Sequence, residues 1–313
     1  MQVRVGCEFQ YEMALPTPAV VQVQPHRVGD HTLLRETWET MPVIAAPTYH
    51  DLHGNTCRRL LLPAGPFTLR YDAICVVPDR FDDMDLDARE HPIEEIPDDA
   101  LIYTMPSRYC LSDVLANTAW QLFGGLKPGW SWVQGICDWV HEHIRFQYGT
   151  STPLITAVDV YLAREGVCRD FTRLGITFCR ALNIPALYVF GYLPDIEAPL
   201  PDAPVDFCAW FDAYLGGRWY TFDPRNNTPC TARVMIGRGR DALDVAMVTS
   251  YGSSALRKMV VWALSTERLA VPLCRRQRRR SPAEQPRMPF PPHRSRVALR
   301  CFRGRIDGDG PSG

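Results

Sequence analysis

The 313-residue sequence predicts an α+β protein, a β-sandwich followed by helices packed on an antiparallel sheet. Three observations carry that expectation. Short apolar runs separated by turn residues fill residues 1–105, apolar side chains at helical spacing begin near Ser112, and strict alternation returns over Asp206–Asp223.

In the first part, Val20–Val23, Leu60–Leu62, Phe67–Tyr71 and Ala73–Val77 read as strands, punctuated by His53-Gly54-Asn55, Pro63-Ala64-Gly65-Pro66 and Pro78-Asp79. Short runs at this spacing suggest a sandwich. Asp82–Asp99 is rich in acids without periodicity and reads as a surface connection.

Ser112 is a candidate cap for a helix carrying Val114, Leu115, Ala119 and Leu122, and Ser131 for one carrying Val133, Ile136, Val140 and Ile144. His141 and His143 lie off that stripe and read as solvated. Thr156 caps a third helix that stops at Gly166. A fourth starts near Cys168, carries Phe171, Leu174, Phe178 and Leu182, and ends at Asn183 and Pro185. Ala186–Leu193 follows as a strand. Gly216-Gly217 then joins two alternating runs, which predicts a two-residue hairpin turn. Lys258–Leu264 is the last strand of the folded part.

Net charge is −1, but the average hides an asymmetry: residues 266–313 hold 12 Arg against 4 acidic residues, leaving about +8 there and about −9 before it. An acidic core is a poor nucleic-acid surface, which needs clustered cations. The Arg/Pro-rich stretch 266–313, with Arg275, Arg276, Arg278, Arg279 and Arg280, reads as a disordered, solvated tail. A shifted reading frame after Leu264 produces the same change of character. The expected organisation is thus 1–105, 106–265 and 266–313.

The 11 cysteines include no CxxC pair and no zinc spacing, so no zinc site is expected. Met1–Ala14 has no signal-type apolar core, and no apolar run approaches the roughly 18 residues of a membrane span. A cytoplasmic, reduced protein is the expectation, with most cysteines buried as small apolar side chains.

The chemistry centres on Gly166-Val167-Cys168-Arg169-Asp170. A cysteine in the first turn of a helix meets unpaired N–H groups and the positive end of the dipole, which favour thiolate. Gly166 permits a sharp turn before it, and Arg169 and Asp170 read as a surface ion pair. In the hairpin, partner numbers sum to 433, so Trp210 opposes Asp223 and Cys208 is its diagonal neighbour. A thiol at a helix start facing side chains on adjacent strands is a layout for thiol catalysis. Trp210 is a candidate wall of a substrate cleft.

Gly166-Val167-Cys168-Arg169-Asp170-Phe171, then Asn183-Ile184-Pro185-Ala186, Asp206-Phe207-Cys208-Ala209-Trp210 and Arg218-Trp219-Tyr220-Thr221-Phe222-Asp223-Pro224 resemble, in order, the nucleophile, histidine and aspartate segments of the bacterial transglutaminase-like superfamily. The similarity spans about residues 110–263. Asp51-Leu52-His53-Gly54-Asn55 and Pro106-Ser107-Arg108-Tyr109-Cys110 resemble the β domain that precedes this core in a two-domain branch. The resemblance implies a papain-like transglutaminase core. Its cysteine nucleophile attacks a carboxamide or peptide carbonyl, a histidine acts as base and an aspartate orients it, with a protein or peptide as substrate. Acyl chemistry at a thiol implies neither metal nor organic cofactor. Cys168 and Asp223 match directly, whereas Cys208 stands where the family has histidine. A thiol titrates near 8.5 against about 6.5 for histidine, so Cys208 is a poor base. His50 and His53 can reach the site only through domain packing. Three functions follow: a weakened acyl-transfer enzyme, an inactive peptide- or protein-binding module, or a Cys168–Cys208 redox switch.

Overall fold

A computed structural model describes residues 1–194 and 206–266, all within one compact unit. The Arg/Pro-rich tail expected over 266–313 lies outside the described residues beyond Thr266.

The first strands are β1 (Gln2–Met13), β2 (Thr17–Val21), β3 (Thr32–Met41), β4 (Thr48–His50), β5 (Thr56–Leu62) and β6 (Gly65–Val76). Helices follow: α1 (Asp98–Leu101), α2 (Ala116–Phe123) and α3 (Trp130–His143). After the short strand β7 (Arg145–Phe146) come α4 (Ala157–Ala163), β8 (Glu165–Gly166) and α5 (Cys168–Ala181). The chain continues through β9 (Ala186–Tyr192), β10 (Cys208–Leu215), β11 (Arg218–Phe222), β12 (Val234–Gly239), β13 (Val248–Ser250) and β14 (Ser254–Ser265).

Two four-stranded antiparallel sheets, in the orders β14-β1-β6-β3 and β13-β2-β5-β4, form the β-rich half. Alternate side chains of β1 (Val3, Val5, Cys7, Phe9) are fully buried and share one core with Val21, Leu60 and Leu62 of the second sheet. Period-two burial is what a pleated strand with one covered face produces. β14 is antiparallel to β1 from Val3↔Ser265 to Met13↔Ser254. The last strand thus completes the sheet of the N-terminal half, although it follows the helical segment in sequence.

The third sheet, β11-β10-β9-β12, is antiparallel and carries α5 on one face. The hairpin register follows the sum of 433: Leu215↔Arg218, Ala213↔Tyr220 and Phe211↔Phe222. Gly216 and Gly217 have φ of 57° and 87°, the left-handed pair that a tight hairpin turn requires. Gly175 brings the helix close to the sheet, since a Cβ there would lie 2.8 Å from the Phe211 ring.

Thr156 caps α4, its hydroxyl accepting from the Asp159 N–H while the Asp159 carboxylate accepts from the Thr156 N–H at 2.8 Å. Two expected caps are corrected. Ser131 lies inside α3, whose cap is Gly129, and Ser112 is buried ahead of α2, which starts at Ala116. At Gly129, φ is +96°, and a Cβ would strike the backbone of Ala88 and Arg89, so only glycine fits. Among the described residues no helix is long and apolar enough to cross a membrane.

Candidate active site

Asp170 builds the entry to α5. Its side chain is fully buried, its Oδ2 accepts from the Val167 N–H at 2.9 Å, and its Oδ1 lies 3.2 Å from Arg173 Nη1. Arg173 is itself buried, donates to the Ile155 carbonyl at 2.9 Å and lies over the Tyr109 ring at 4.1 Å. The expected surface pair of Arg169 and Asp170 is thereby corrected: Arg169 stands 4.0 Å away and donates instead to Ser151 Oγ at 3.0 Å, while the buried partner is Arg173. Gly166 does not need a left-handed turn. It leaves room for Asp170, because a Cβ there would lie 2.7 Å from the Asp170 Cβ.

Cys168 therefore begins α5 in a fixed position. It opens into a cavity of roughly 550 Å³ that Cys208 also lines. Apolar walls come from Phe190, Val245 and Met247, and polar ones from Asp206, Arg169 and Arg225. Both cysteines are free thiols, and Cys168 Sγ donates to the Phe207 carbonyl at 3.7 Å. Burial pushes the Cys168 thiol above its ordinary value. The Ala209 backbone and Arg225 work in the other direction, and Asp206 and Asp223 add to the rise. Desolvation, the largest of these causes, works against the thiolate that a helix start favours. Cys208 is also pushed up, first by burial and then by Cys168.

Asp223 does not open onto this cavity. It lies behind, within electrostatic range of both thiols. Its Oδ1 accepts from the N–H groups of Arg225 and Asn226 at 3.1 and 3.0 Å, and its Oδ2 accepts from Asn226 Nδ2 at 2.8 Å and pairs with Arg233 at 3.2 Å. The carboxylate is thus occupied by the loop that follows β11 and by a buried arginine.

Trp210 is not a wall of the Cys168 cavity. It is 2% exposed, packs with Tyr103, Leu187 and Val189, and lies under the Arg233 guanidinium at 4.8 Å. It borders a separate cavity with Asp212, whose carboxyl burial pushes up to about 6 against a hydrogen bond from Thr221. None of the seven described histidines lines the Cys168 cavity. His53 bonds Tyr103 at 3.1 Å and Asp244 at 3.3 Å on another surface. His141, exposed as expected, donates from Nδ1 to the Arg225 carbonyl at 2.9 Å. Among the described residues no group of His, Cys, Asp and Glu has the arrangement of a metal site.

Sequence reasoning passed over Arg225 and Asp206. Both flank segments it singled out, Arg225 two residues after Asp223 and Asp206 two before Cys208, but neither lies in a motif that declares its role.

The model of the transglutaminase-like superfamily matches residues 117–224. A candidate cysteine protease from Cytophaga hutchinsonii is similar in structure, with a TM-score of 0.76 and 30% identity over 84% of this chain and 90% of that one. Uncharacterised proteins of Mycobacterium tuberculosis and Mycobacterium leprae are 31% identical over 144 residues and 34% identical over 115 residues. These cover 43% and 34% of this chain, and it spans under half the length of these curated relatives, 46% and 39%. The chain belongs to the transglutaminase-like superfamily, with a papain-like core beside an N-terminal β-rich half.

Proposed function

We propose that the chain carries out thiol-dependent acyl transfer, or peptide and amide hydrolysis, through Cys168, at a rate lowered by Cys208. One observation carries this reading: Cys168 begins a rigidly anchored helix and opens into a cavity large enough for a peptide side chain. The Cys168 thiolate adds to a carbonyl carbon, the C–N bond breaks, and the amine leaves with a proton. Water or a second amine then displaces the sulfur, and no cofactor takes part. Loss of general acid–base help typically costs about 10²–10⁴ in rate. Asp223 supports the site from behind through its loop. We assign the chemistry to residues 106–265 and a supporting role to 1–105. We place the protein in a reducing compartment, the cytoplasm, where the Cys168 and Cys208 thiols stay reduced.

A specific observation favours a second reading, an inactive peptide-binding module. Burial raises both thiols, and no described histidine faces them. Hydrolysis of glutamine peptides and amine incorporation into them separate the two. Slow turnover that Cys168→Ala abolishes supports the enzyme. Peptide binding without turnover, unchanged in Cys168→Ala, supports the module.

A further inference from the structure

Among the described residues, three arginines line the Cys168 cavity, Arg169, Arg173 and Arg225, against one carboxylate, that of Asp206. Two of the three are engaged. Arg173 is paired with Asp170, and Arg169 donates to Ser151. Asp206 accepts from the Phe207 N–H at 2.7 Å. Arg225 differs: among the described residues its guanidinium has no hydrogen-bond acceptor, and it lies over the Phe146 ring at 4.3 Å. Its backbone is held on both sides, the N–H by Asp223 at 3.1 Å and the carbonyl by His141 at 2.9 Å. A guanidinium braced on an aromatic face, with free donors beside a nucleophile, suits bidentate capture of a carboxylate.

We propose that the cavity selects acyl groups bearing a carboxylate close to the carbonyl that is attacked, with Arg225 as the residue that binds it and the apolar wall of Phe190, Val245 and Met247 taking the rest. This rests on Cys168 being a nucleophile. It also gives Asp223 a task without a histidine, since its carboxylate holds the loop that presents Arg225.

Two alkylating agents of similar size test it. In each, the Cys168 sulfur displaces iodide and forms an S–C bond, but iodoacetate carries a carboxylate and iodoacetamide a neutral amide. Cys168 modification is followed by peptide mass spectrometry on the reduced full-length chain at pH 9, with N-acetylcysteine as reference. Relative to that reference, iodoacetate should be favoured by about tenfold or more, the worth of one hydrogen bond to a charged group. Arg225→Gln should return the ratio to the reference value, and Arg225→Lys should keep part of the preference. A natural ratio equal to the reference, or one unchanged in Arg225→Gln, overturns the proposal. Equal losses for both reagents in Arg225→Gln also overturn it, making Arg225 a thiolate stabiliser only. Failure of both reagents at Cys168 of the natural protein overturns the nucleophile reading itself.

Discussion

At Cys168 two effects oppose each other. The first helical turn offers N–H groups to a thiolate, while burial disfavours the charged form and is the largest cause of the thiol's upward shift. Sequence reveals the first effect, because helix starts are legible, but not the second, because burial depends on how distant segments fold over the site. The same limit hid Asp170. Adjacent charges look like a surface pair, yet Asp170 is sealed with Arg173 at 3.2 Å beneath the helix start. Removing one partner of a buried pair strands the other, so Asp170→Asn should destabilise the protein by about 3–5 kcal/mol. The check is a lower urea midpoint at an unchanged m-value.

Among the elements, those governed by local chemistry were the legible ones. The α5 start at Cys168, the Thr156 cap and the hairpin register follow from capping side chains, apolar spacing and a glycine pair, all within a few residues. β1 and β3 lie outside the apolar runs that the sequence marks as strands. The alternation of Val3, Val5, Cys7 and Phe9 was present in β1, whereas β3 is largely exposed and polar, an edge strand without an apolar stripe. β6 joins two of the expected runs, Phe67–Tyr71 and Ala73–Val77, which polar Asp72 separates in the sequence. Asp72 remains in the strand, where Arg4 pairs with it at 2.7 Å and Trp262 donates to it at 2.9 Å. In the site, Cys208 and Cys168 line one cavity, whereas Asp223, which the hairpin reading sets beside Cys208, does not line it and Trp210 borders another. Alternation assigns a face to a side chain, but not the cavity that face borders.

For the whole molecule, the placement of β14 matters most. It lies along almost the entire length of β1, so the first and last strands of the described chain are neighbours. Its partner is about 250 residues away in sequence, beyond the reach of any local pattern. One buried core also runs through both halves, linking Phe9 and Tyr71 to Phe171 and Phe211. Residues 106–265 expressed alone should therefore lack a cooperative thermal transition, because β14 would present an unpaired edge and an uncovered apolar face. A sharp transition in that fragment, with native-like near-ultraviolet circular dichroism, would show instead that the segment folds without β1.

The most direct test of the site is the pH dependence of Cys168 alkylation by iodoacetamide, measured on the natural protein and on Cys208→His. In the natural protein the midpoint should lie above the ordinary thiol value of about 8.5, because burial favours the neutral form and reactivity appears only as pH rises past the raised pKa. In Cys208→His an imidazole replaces the half-buried thiol of Cys208, and an imidazolium beside Cys168 stabilises the thiolate, so the midpoint should move down. A midpoint unchanged by Cys208→His would contradict the claim that positions 168 and 208 form one catalytic centre.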